Sequence, residues 1–313
     1  MVHNKRQFNL VIIPDPRIKR PEDFHRMAGY VSEMAPDIKP IVLSDKMHFL
    51  RVLKLLSRPT MVFSPTPLKC FRPLRGAVFQ GQRLSNSEEL TAMERCGIPV
   101  PKWALLTPEK KPDLDNFGPY VVVKPDLGGR GADVKIKRKA RVRWTPPKTQ
   151  QASGSTNWVV QEFIYTGHWP VSYRVAVLFG EVLYSWRVEA DQTRRPLLGP
   201  NEFKGGEGGG GMSIVSSGRG CTFELDDDPE IISLAEKTHV TFPHIPLLGV
   251  DILKEPSGKL SVIEVNAVGL VWHFSTPTGV KIQEFAGFDL ESQFDGIRKA
   301  ARILVQQTRK QAR

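Results

Sequence analysis

Residues 247–266 read LLGVDILKEPSGKLSVIEVN. Two apolar runs flank a Pro-Ser-Gly turn, a pattern that predicts a β-hairpin. Each run carries one carboxylate among aliphatic side chains, Asp251 in the first and Glu264 in the second. Counting outward from the turn puts Asp251 opposite Val262, and a register shift of two residues puts it opposite Glu264. In either register Asp251, Glu264 and Asn266 share one face, because side chains alternate along a strand.

These three oxygen-bearing side chains would lie within roughly 4.5–8 Å of one another. Two carboxylates this close repel unless a cation lies between them, and Mg²⁺ favours oxygen ligands. The alternative is a surface hairpin with ordinary acidic residues. The aliphatic neighbours count against it, since an ionised carboxylate in an apolar strand needs a partner. The hairpin therefore predicts a site for one or two Mg²⁺ ions, with Mn²⁺ as a possible substitute.

The composition is that of an ordinary globular protein. A length of 313 residues predicts about two domains. The formal net charge of +11 favours anionic partners, whether nucleotide phosphates, carboxylates, nucleic acid or anionic lipid. Three widely separated cysteines indicate neither a disulfide framework nor a zinc site. With no signal-peptide pattern and no membrane-length apolar run, we expect a cytoplasmic protein without a membrane partner, of undetermined oligomeric state.

The positive charge is concentrated in residues 130–148, which contain one acid, Asp133, among their many lysines and arginines. A nucleic-acid surface is one interpretation, but Trp144 is the only aromatic residue interleaved with these charges. Nucleic acid therefore ranks last among the partners that we expect. An acidic substrate or a peptide partner is the alternative.

Residues 8–100 alternate between strand and helix patterns, which predicts a small parallel α/β domain. We predict an N-terminal domain over 1–100 and a second domain over 101–313. The second domain divides into a small nucleotide lobe, 101–165, and a larger metal and substrate lobe, 166–313. Three shorter segments carry further expectations: a helix at 46–56, a glycine-rich flexible lid or disordered loop at 205–211, and one terminal helix at 290–307.

Residues 121–134, VVVKPDLGGRGADV, form the second informative segment. A buried strand ends at Lys124 and enters a turn with three glycines. Glycine lets backbone N–H groups approach phosphate oxygens closely, and a lysine supplies a point charge beside them. The alternative is a tight hairpin whose lysine extends to solvent.

Residues 158–164, WVVQEFI, form an apolar strand that ends in Gln161 and Glu162. This ending can put a carboxylate and free backbone groups at the edge of a cleft. Taken alone, Glu162 can equally be an ordinary charge at the end of a strand.

Residues 173–187, YRVAVLFGEVLYSWR, predict a second hairpin about Gly180 and Glu181. Pairing about this turn puts Arg174 opposite Arg187 on one face. Two opposed arginines repel unless they share an anion. The alternative is a pair of exposed arginines bridged by solvent or by an acid such as Glu189.

These four segments, in this order, resemble the ATP-grasp superfamily, and within it amide-forming ligases such as glutathione synthetase and the enzymes that add glutamate to a ribosomal protein. The resemblance covers about 100–290, and 8–96 is consistent with the domain that usually precedes it. It implies a mixed α/β ATP-grasp fold, with ATP held between two β-rich lobes.

The resemblance also implies roles for individual residues. Asp251, Glu264 and Asn266 would bind Mg²⁺, and Arg174 and Arg187 would neutralise the γ-phosphate and an acyl phosphate. The residues expected to bind ATP are Lys124, Gly128, Gly129, Arg130, Gly131, Gln161, Glu162, Phe163 and Ile164. The implied reaction activates a small-molecule or peptide carboxylate as an acyl phosphate, couples it to an amine and releases ADP and phosphate.

Two departures from the family pattern support an alternative, a non-catalytic or divergent ATP-binding protein. The start of the helix near Ser87 often carries a second nucleotide-binding lysine, whereas this chain reads Asn-Ser-Glu-Glu at 86–89. After Asn266 a Pro-Gly turn is usual, whereas this chain continues as AVGLVWH through His273. We expect His273 to be a packed or solvated histidine rather than a base. The sequence does not identify the carboxylate or the nucleophile.

Overall fold

Three β-sheets organise the chain. The computed structural model describes residues 7–18, 21–43, 58–68, 73, 75–128, 131, 133–146, 156–191, 197, 199, 220–268 and 271–312. Within these residues there are two four-stranded sheets and one five-stranded sheet. In chain order the sheets fall inside 1–100, 101–165 and 166–313.

The first sheet is parallel, with the order β2-β1-β3-β4. Its strands β1 and β3 are buried along their whole length, as expected for a parallel sheet covered on both faces. This confirms the predicted parallel α/β arrangement, while the helix predicted at 46–56 lies outside the described residues. The elements are β1 (Phe8–Ile12), α1 (Glu22–Met34), β2 (Ile38–Val42), β3 (Thr60–Ser64) and β4 (Gly76–Gln80).

The second sheet is antiparallel, with the order β5-β8-β6-β7. One face encloses a small core that includes Val121, Val160 and Trp158. On the other face Val159 packs into a core shared with the preceding helix α2 and the third sheet. The elements are α2 (Asn86–Arg95), β5 (Trp103–Leu106), β6 (Tyr120–Pro125), β7 (Lys135–Arg138) and β8 (Trp158–Glu162).

The third sheet is antiparallel, with the order β11-β10-β9-β12-β13, so β13 lies at its edge. Its two faces belong to different cores. Ala176 and Tyr184 pack toward α1 and α6, whereas Val175 and Val250 pack toward α2 and α3. The elements are β9 (Val171–Leu178), β10 (Glu181–Ala190), β11 (Cys221–Leu225), α3 (Pro229–Val240), β12 (Leu247–Lys254), β13 (Leu260–Asn266), α4 (Pro277–Ala286), α5 (Leu290–Phe294) and α6 (Gly296–Gln311).

The C-terminal region departs from the prediction of one helix at 290–307. Asp295 adopts a left-handed conformation with φ 49° and separates α5 from α6. The next residue is Gly296, where a Cβ would lie 2.5 Å from Phe274 Cζ and 3.0 Å from the Leu183 carbonyl oxygen. The chain therefore turns at this point so that α6 can approach the third sheet closely. Neither α4 nor β11 was predicted, and the glycine-rich segment 205–211 lies outside the described residues.

A β-bulge in each hairpin of the third sheet decides which side chains share a face. Between β9 and β10 the register shifts at Leu183, and between β12 and β13 it shifts between Asp251 and Ile252. Each bulge adds one residue to one strand, so the residues beyond it change faces relative to a regular hairpin.

Among the described residues, no helix combines the length and the apolar character needed to cross a bilayer.

The capping of α2 provides a test of the local structure. Ser85 Oγ accepts from the Glu88 amide, and Glu88 Oε2 accepts from the Ser85 amide at 2.8 Å, which together form a capping box. We expect Ser85→Ala to lower the free energy of unfolding by roughly 0.5–2 kcal/mol in chemical denaturation. Ser32→Ala, within the exposed part of α1, is the matched control and should cause no loss. Equal effects of the two changes would contradict the capping role.

Candidate active site

The predicted metal residues lie together on β12 and β13. Beyond the bulge Asp251 is directly opposite Glu264, and Gly249 is opposite Asn266. The side-chain amide of Asn266 donates to Asp251 Oδ2 at 3.2 Å. The register is thus the second of the two considered from the sequence, although it holds only on the far side of the bulge, since Ile252 is opposite Val262.

Arg174 is the immediate neighbour of Asp251 across β9 and β12. Its guanidinium binds the carboxylate in a bidentate manner, with Nε on Oδ1 and Nη2 on Oδ2, the latter at 2.6 Å. The pair is mostly buried, with 26% of the Arg174 side chain and 16% of the Asp251 side chain exposed. Burial alone would lower the pKa of Arg174, but the charge of Asp251 and its hydrogen bonds act together against burial, and the pKa is raised. Arg174 is therefore a fixed positive charge at this face.

Lys124, at the end of β6, extends from the second sheet to the third. Its buried ammonium donates to the carbonyl oxygen of Ile263 at 3.0 Å. Ile263 directly precedes Glu264, and the Lys124 charge opposes the burial that raises the pKa of Glu264. The predicted phosphate-binding lysine and the predicted metal strand are thus in direct contact.

A third carboxylate, Glu89 on α2, adjoins this group and was not singled out from the sequence. It is buried, and its Oε2 accepts from the Val265 amide at 3.3 Å. Burial raises its pKa well above the ordinary value, and the charge of Glu264 raises it further. The sequence feature that could have indicated its burial is its position beside Leu90 and Met93 on the apolar face of the helix.

The net charge of this group of side chains favours the binding of a cation. Three carboxylates (Glu89, Asp251 and Glu264) lie beside two cationic side chains, Lys124 and Arg174, so one negative charge is uncompensated when all five are ionised. Among the described residues there is no group of three or more His, Cys, Asp or Glu side chains arranged to hold a metal. The candidate ligand set is accordingly two carboxylates and the amide oxygen of Asn266, which are donors suited to a hard cation such as Mg²⁺.

The glycine turn after β6 is described in part. Gly131 and Asp133 adopt left-handed conformations, with φ 67° and 59°. Gly128 is also described, whereas Gly129 and Arg130 lie outside the described residues. A left-handed residue inside a glycine turn is typical of loops that present backbone amides to an anion.

The first turn of α2 holds the start of this glycine turn. Asn86 donates its side-chain amide to the Pro125 carbonyl at 2.9 Å and its backbone amide to the Asp126 carbonyl at 2.8 Å. The Ser87 amide donates to the Asp126 carboxylate at 2.9 Å. The position where the family resemblance predicts a second lysine is therefore a structural anchor in this chain.

Gln161 and Glu162, at the end of β8, point to opposite faces of the second sheet. Gln161 lies opposite Val122 and shares a face with Lys124. It is 3% exposed, and its Nε2 has no hydrogen-bond partner within the described part of the chain. A buried amide left unpaired is costly, so this atom suits a polar ligand.

Glu162 lies on the other face of the sheet. Its Oε1 accepts from the Gly118 amide at 3.2 Å and lies 3.7 Å from Lys102 Nζ. The backbone amide of Phe163 donates to the Tyr120 carbonyl at 3.4 Å, and Ile164 follows the end of the strand. Among the predicted adenine-binding side chains, Gln161 rather than Glu162 thus lies on the Lys124 face.

The prediction that Arg174 and Arg187 oppose each other is wrong. The turn lies at Phe179 and Gly180, one residue earlier than predicted, because Leu178 pairs with Glu181. The bulge at Leu183 then shifts the pairing by one residue, so Arg174 is opposite Trp186 and Arg187 is opposite Tyr173. The two arginines therefore point to opposite faces. Arg187 forms ion pairs with Glu189 and, at 3.5 Å, with Glu224, which matches the alternative considered from the sequence.

His273 is a packed histidine. Burial and the Arg174 charge lower its pKa to about 3, so it is neutral at physiological pH. The Tyr184 hydroxyl lies 2.5 Å from both the Val271 carbonyl oxygen and His273 Nδ1. Since a hydroxyl carries one proton, it donates to Val271 and accepts from Nδ1–H. Trp272 Nε1 donates to Asp23 of α1, so the segment after Asn266 is fixed to that helix.

Solved structures share this arrangement of sheets, although the sequence matches no family model and no curated protein. The ATP-grasp ligase PsnB, complexed with a phosphomimetic variant of its minimal precursor, Mg and ADP, superposes with a TM-score of 0.55 at 14% identity, covering 96% of this chain and 98% of PsnB. The chain has the ATP-grasp fold. The D-cycloserine synthetase DcsG matches with a TM-score of 0.51 at 14% identity, covering 96% of this chain and 99% of DcsG. At these identities the likeness establishes the ATP-grasp fold alone.

The raised pKa values of Glu89 and Glu264 make the metal-free protein sensitive to pH. Their stabilising contribution is fully present below the unfolded pKa of about 4.5 and is lost as pH rises through the higher folded pKa. In EDTA, we expect Glu264→Gln to gain thermal stability relative to the unmodified protein between pH 5 and pH 8. Glu94→Gln, an exposed position on α2, should show no such trend. A difference for Glu264→Gln that stays constant or shrinks with pH would contradict this account.

Proposed function

We propose that this chain is an ATP- and Mg²⁺-dependent ligase that joins a substrate carboxylate to an amine. The observation that carries the proposal is the meeting of Lys124 with the strand of Glu264, beside Asp251, Asn266 and Arg174. A cationic side chain from one sheet and hard oxygen donors from the other are what a metal-bound polyphosphate requires. The ATP-grasp fold, and the Mg and ADP in the PsnB structures, support the same assignment.

ATP would bind on the face of the second sheet that carries Lys124. Lys124 and the backbone amides of 128–131 would hold the phosphates. Gln161 would present its unpaired amide to the base, beside the backbone of Phe163 and Ile164, while the adenine contact predicted for the Glu162 side chain stays a prediction. The buried unpaired amide is the feature of this face that a ligand would satisfy.

Asp251, Glu264 and Asn266 would hold Mg²⁺, for which Mn²⁺ is a chemical substitute. When bound, Mg²⁺ supplies Lewis-acid neutralisation of the phosphate oxygens. Asp251 Oδ1 accepts from Arg174 and retains a lone pair for a metal, whereas Oδ2 accepts from both Arg174 and Asn266. The number of ions stays a prediction.

The proposed reaction has two steps. A substrate carboxylate oxygen attacks the γ-phosphorus of ATP, and the bond from that phosphorus to the oxygen of the β-phosphate breaks. ADP departs, and the substrate becomes an acyl phosphate. An amine nitrogen then attacks the acyl carbon, phosphate leaves with the C–O bond electrons, and the amine loses one proton to it. The chain contributes positioning and fixed charge, since Arg174 and Lys124 are held before any ligand arrives.

Several further assignments made from the sequence stay predictions. The guanidinium of Arg187 is engaged by Glu189 on the opposite face from Arg174, so its phosphate role has no support from this geometry. The lid at 205–211 and the contacts of Gly129 and Arg130 concern residues outside the described part. Substrates are proposed only as small-molecule or peptide carboxylates and amines, and the cytoplasmic location is likewise a prediction.

Removing the Glu264 carboxylate should abolish Mg²⁺-dependent chemistry. We expect Glu264→Ala to lower ATP turnover by a factor of at least about 10², because a contact that stabilises the transition state is lost. The assay is ADP release with pooled amino acids and cell extract, with mass spectrometry of the products. Glu255→Ala, in the turn of the same hairpin, is the control and should retain turnover. Unchanged turnover in Glu264→Ala would refute the metal assignment.

The same assay separates the ligase from its alternative, a divergent ATP-binding protein. Binding of ATP–Mg²⁺ by the unmodified protein, without ADP release for any carboxylate and amine in the pool, would favour the alternative. Asn86 anchors the Pro125 carbonyl near the position where the family resemblance predicts a nucleotide-binding lysine. This observation supports the alternative.

Gln161→Met should separate stability from binding. Methionine has a similar shape without the unpaired amide, so we expect the nucleotide-free protein to gain up to about 1–3 kcal/mol in chemical denaturation. Nucleotide affinity, measured by calorimetry with a non-hydrolysable ATP analogue, should fall by about tenfold. A variant that loses both stability and affinity would show that Gln161 has a structural role instead.

A further inference from the structure

Strand β13 carries Glu264 at the edge of the third sheet, so its outward backbone groups have no strand partner among the described residues. The Val262 amide donates to the backbone carbonyl of Pro99 at 2.8 Å, whereas beside Glu264 the partners are side chains. The Ile263 carbonyl accepts from Lys124 at 3.0 Å, and the Val265 amide donates to Glu89 at 3.3 Å. The two backbone groups that flank Glu264 are thus held by the side chains of a lysine and a glutamate.

Glu89 belongs to the same helix that anchors the glycine turn. Asn86 and Ser87, in the first turn of α2, bind Pro125 and Asp126, which directly follow Lys124. One rigid helix therefore contacts the glycine turn at its N-terminus and the metal strand three residues later. The capping box at Ser85 and the buried Leu90 fix this helix in place.

A buried carboxylate at position 89 is not what packing requires. The residue is 7% exposed beside Leu90 and Met93, where an apolar side chain would satisfy the core. Desolvating a carboxylate costs free energy that one long backbone hydrogen bond and the nearby Lys124 only partly offset. A residue that costs stability in this way is a candidate for function.

We propose that Glu89 is a positioning residue that holds the β13 backbone around Glu264 and so joins the glycine turn and the metal ligands into one rigid unit. The inference rests on the proposed function, since it assigns to α2 the coupling between nucleotide and Mg²⁺ at that site. Glu89 acts through the Val265 amide and does not itself bind the metal. Outer residues that orient metal ligands typically change affinity by about 10–100-fold when removed.

The test is the gain in affinity for AMPPNP that Mg²⁺ produces, measured by calorimetry with and without the metal. We expect Glu89→Leu to reduce this gain about tenfold or more while metal-free AMPPNP affinity stays within about threefold. Glu89→Gln should stay within about threefold of the unmodified protein, because its amide oxygen still accepts from Val265. Glu94→Leu, at an exposed position of the same helix, should behave as the unmodified protein.

Three outcomes would overturn the inference. Glu89→Leu with an unchanged Mg²⁺ gain would show that Glu89 has no role. Glu89→Gln as damaging as Glu89→Leu would show that the negative charge acts directly on the metal. An equal loss of metal-free and Mg²⁺-bound affinity in Glu89→Leu would indicate general disruption of the site.

Hydrogen exchange of the Val265 amide gives a second readout that does not depend on Glu89→Leu folding. We expect this amide to be protected in the unmodified protein and in Glu89→Gln. Exchange as fast as that of an exposed amide in the unmodified protein would overturn the positioning role. If the unmodified protein binds no AMPPNP with or without Mg²⁺, the proposed function fails, and the coupling assigned to Glu89 fails with it.

Discussion

The repulsion between Asp251 and Glu264 is the constraint around which the site is arranged. The register of β12 and β13 places the two carboxylates opposite each other at a mostly buried face. Arg174, on the neighbouring strand, compensates the negative charge of Asp251, and Lys124, from another sheet, compensates that of Glu264. These positive charges are fixed by packing before any ligand is present, which is the arrangement that stabilises developing negative charge most efficiently.

The rest of the fold serves to bring these groups together. The third sheet supplies Arg174, Asp251 and Glu264 from the adjacent strands β9, β12 and β13. Strands β9 and β12 contribute to a buried core on each face of the sheet, and β13 contributes to one of them. The second sheet contributes Lys124 across the interface, and α2 braces both sides of that contact. Rigid packing matters here because a small displacement of a charge in a site of low polarity changes its interaction strongly.

Local patterns predicted most strands and the parallel first sheet, because alternation and turn residues act over a few neighbouring positions. Faces were harder. The extra residue at Leu183 reverses the relation between Arg174 and Arg187, and nothing in the flanking sequence marks it as a bulge. Glu89 gains its role only from tertiary contacts with β13, and the break before Gly296 depends on the close approach of distant residues. That Asp251, Glu264 and Asn266 share one face was predictable, because a shared face survives a register shift of two.

We propose that a divalent cation and a triphosphate meet between Lys124 and the β12–β13 hairpin. The most direct measurement is a crystal structure with Mn²⁺ and AMPPNP, in which anomalous scattering locates the metal. We expect an anomalous peak within coordination distance of Asp251, Glu264 and Asn266, with the γ-phosphate on the Lys124 side. A metal and nucleotide bound elsewhere, or a nucleotide on this face whose metal avoids all three residues, would contradict it.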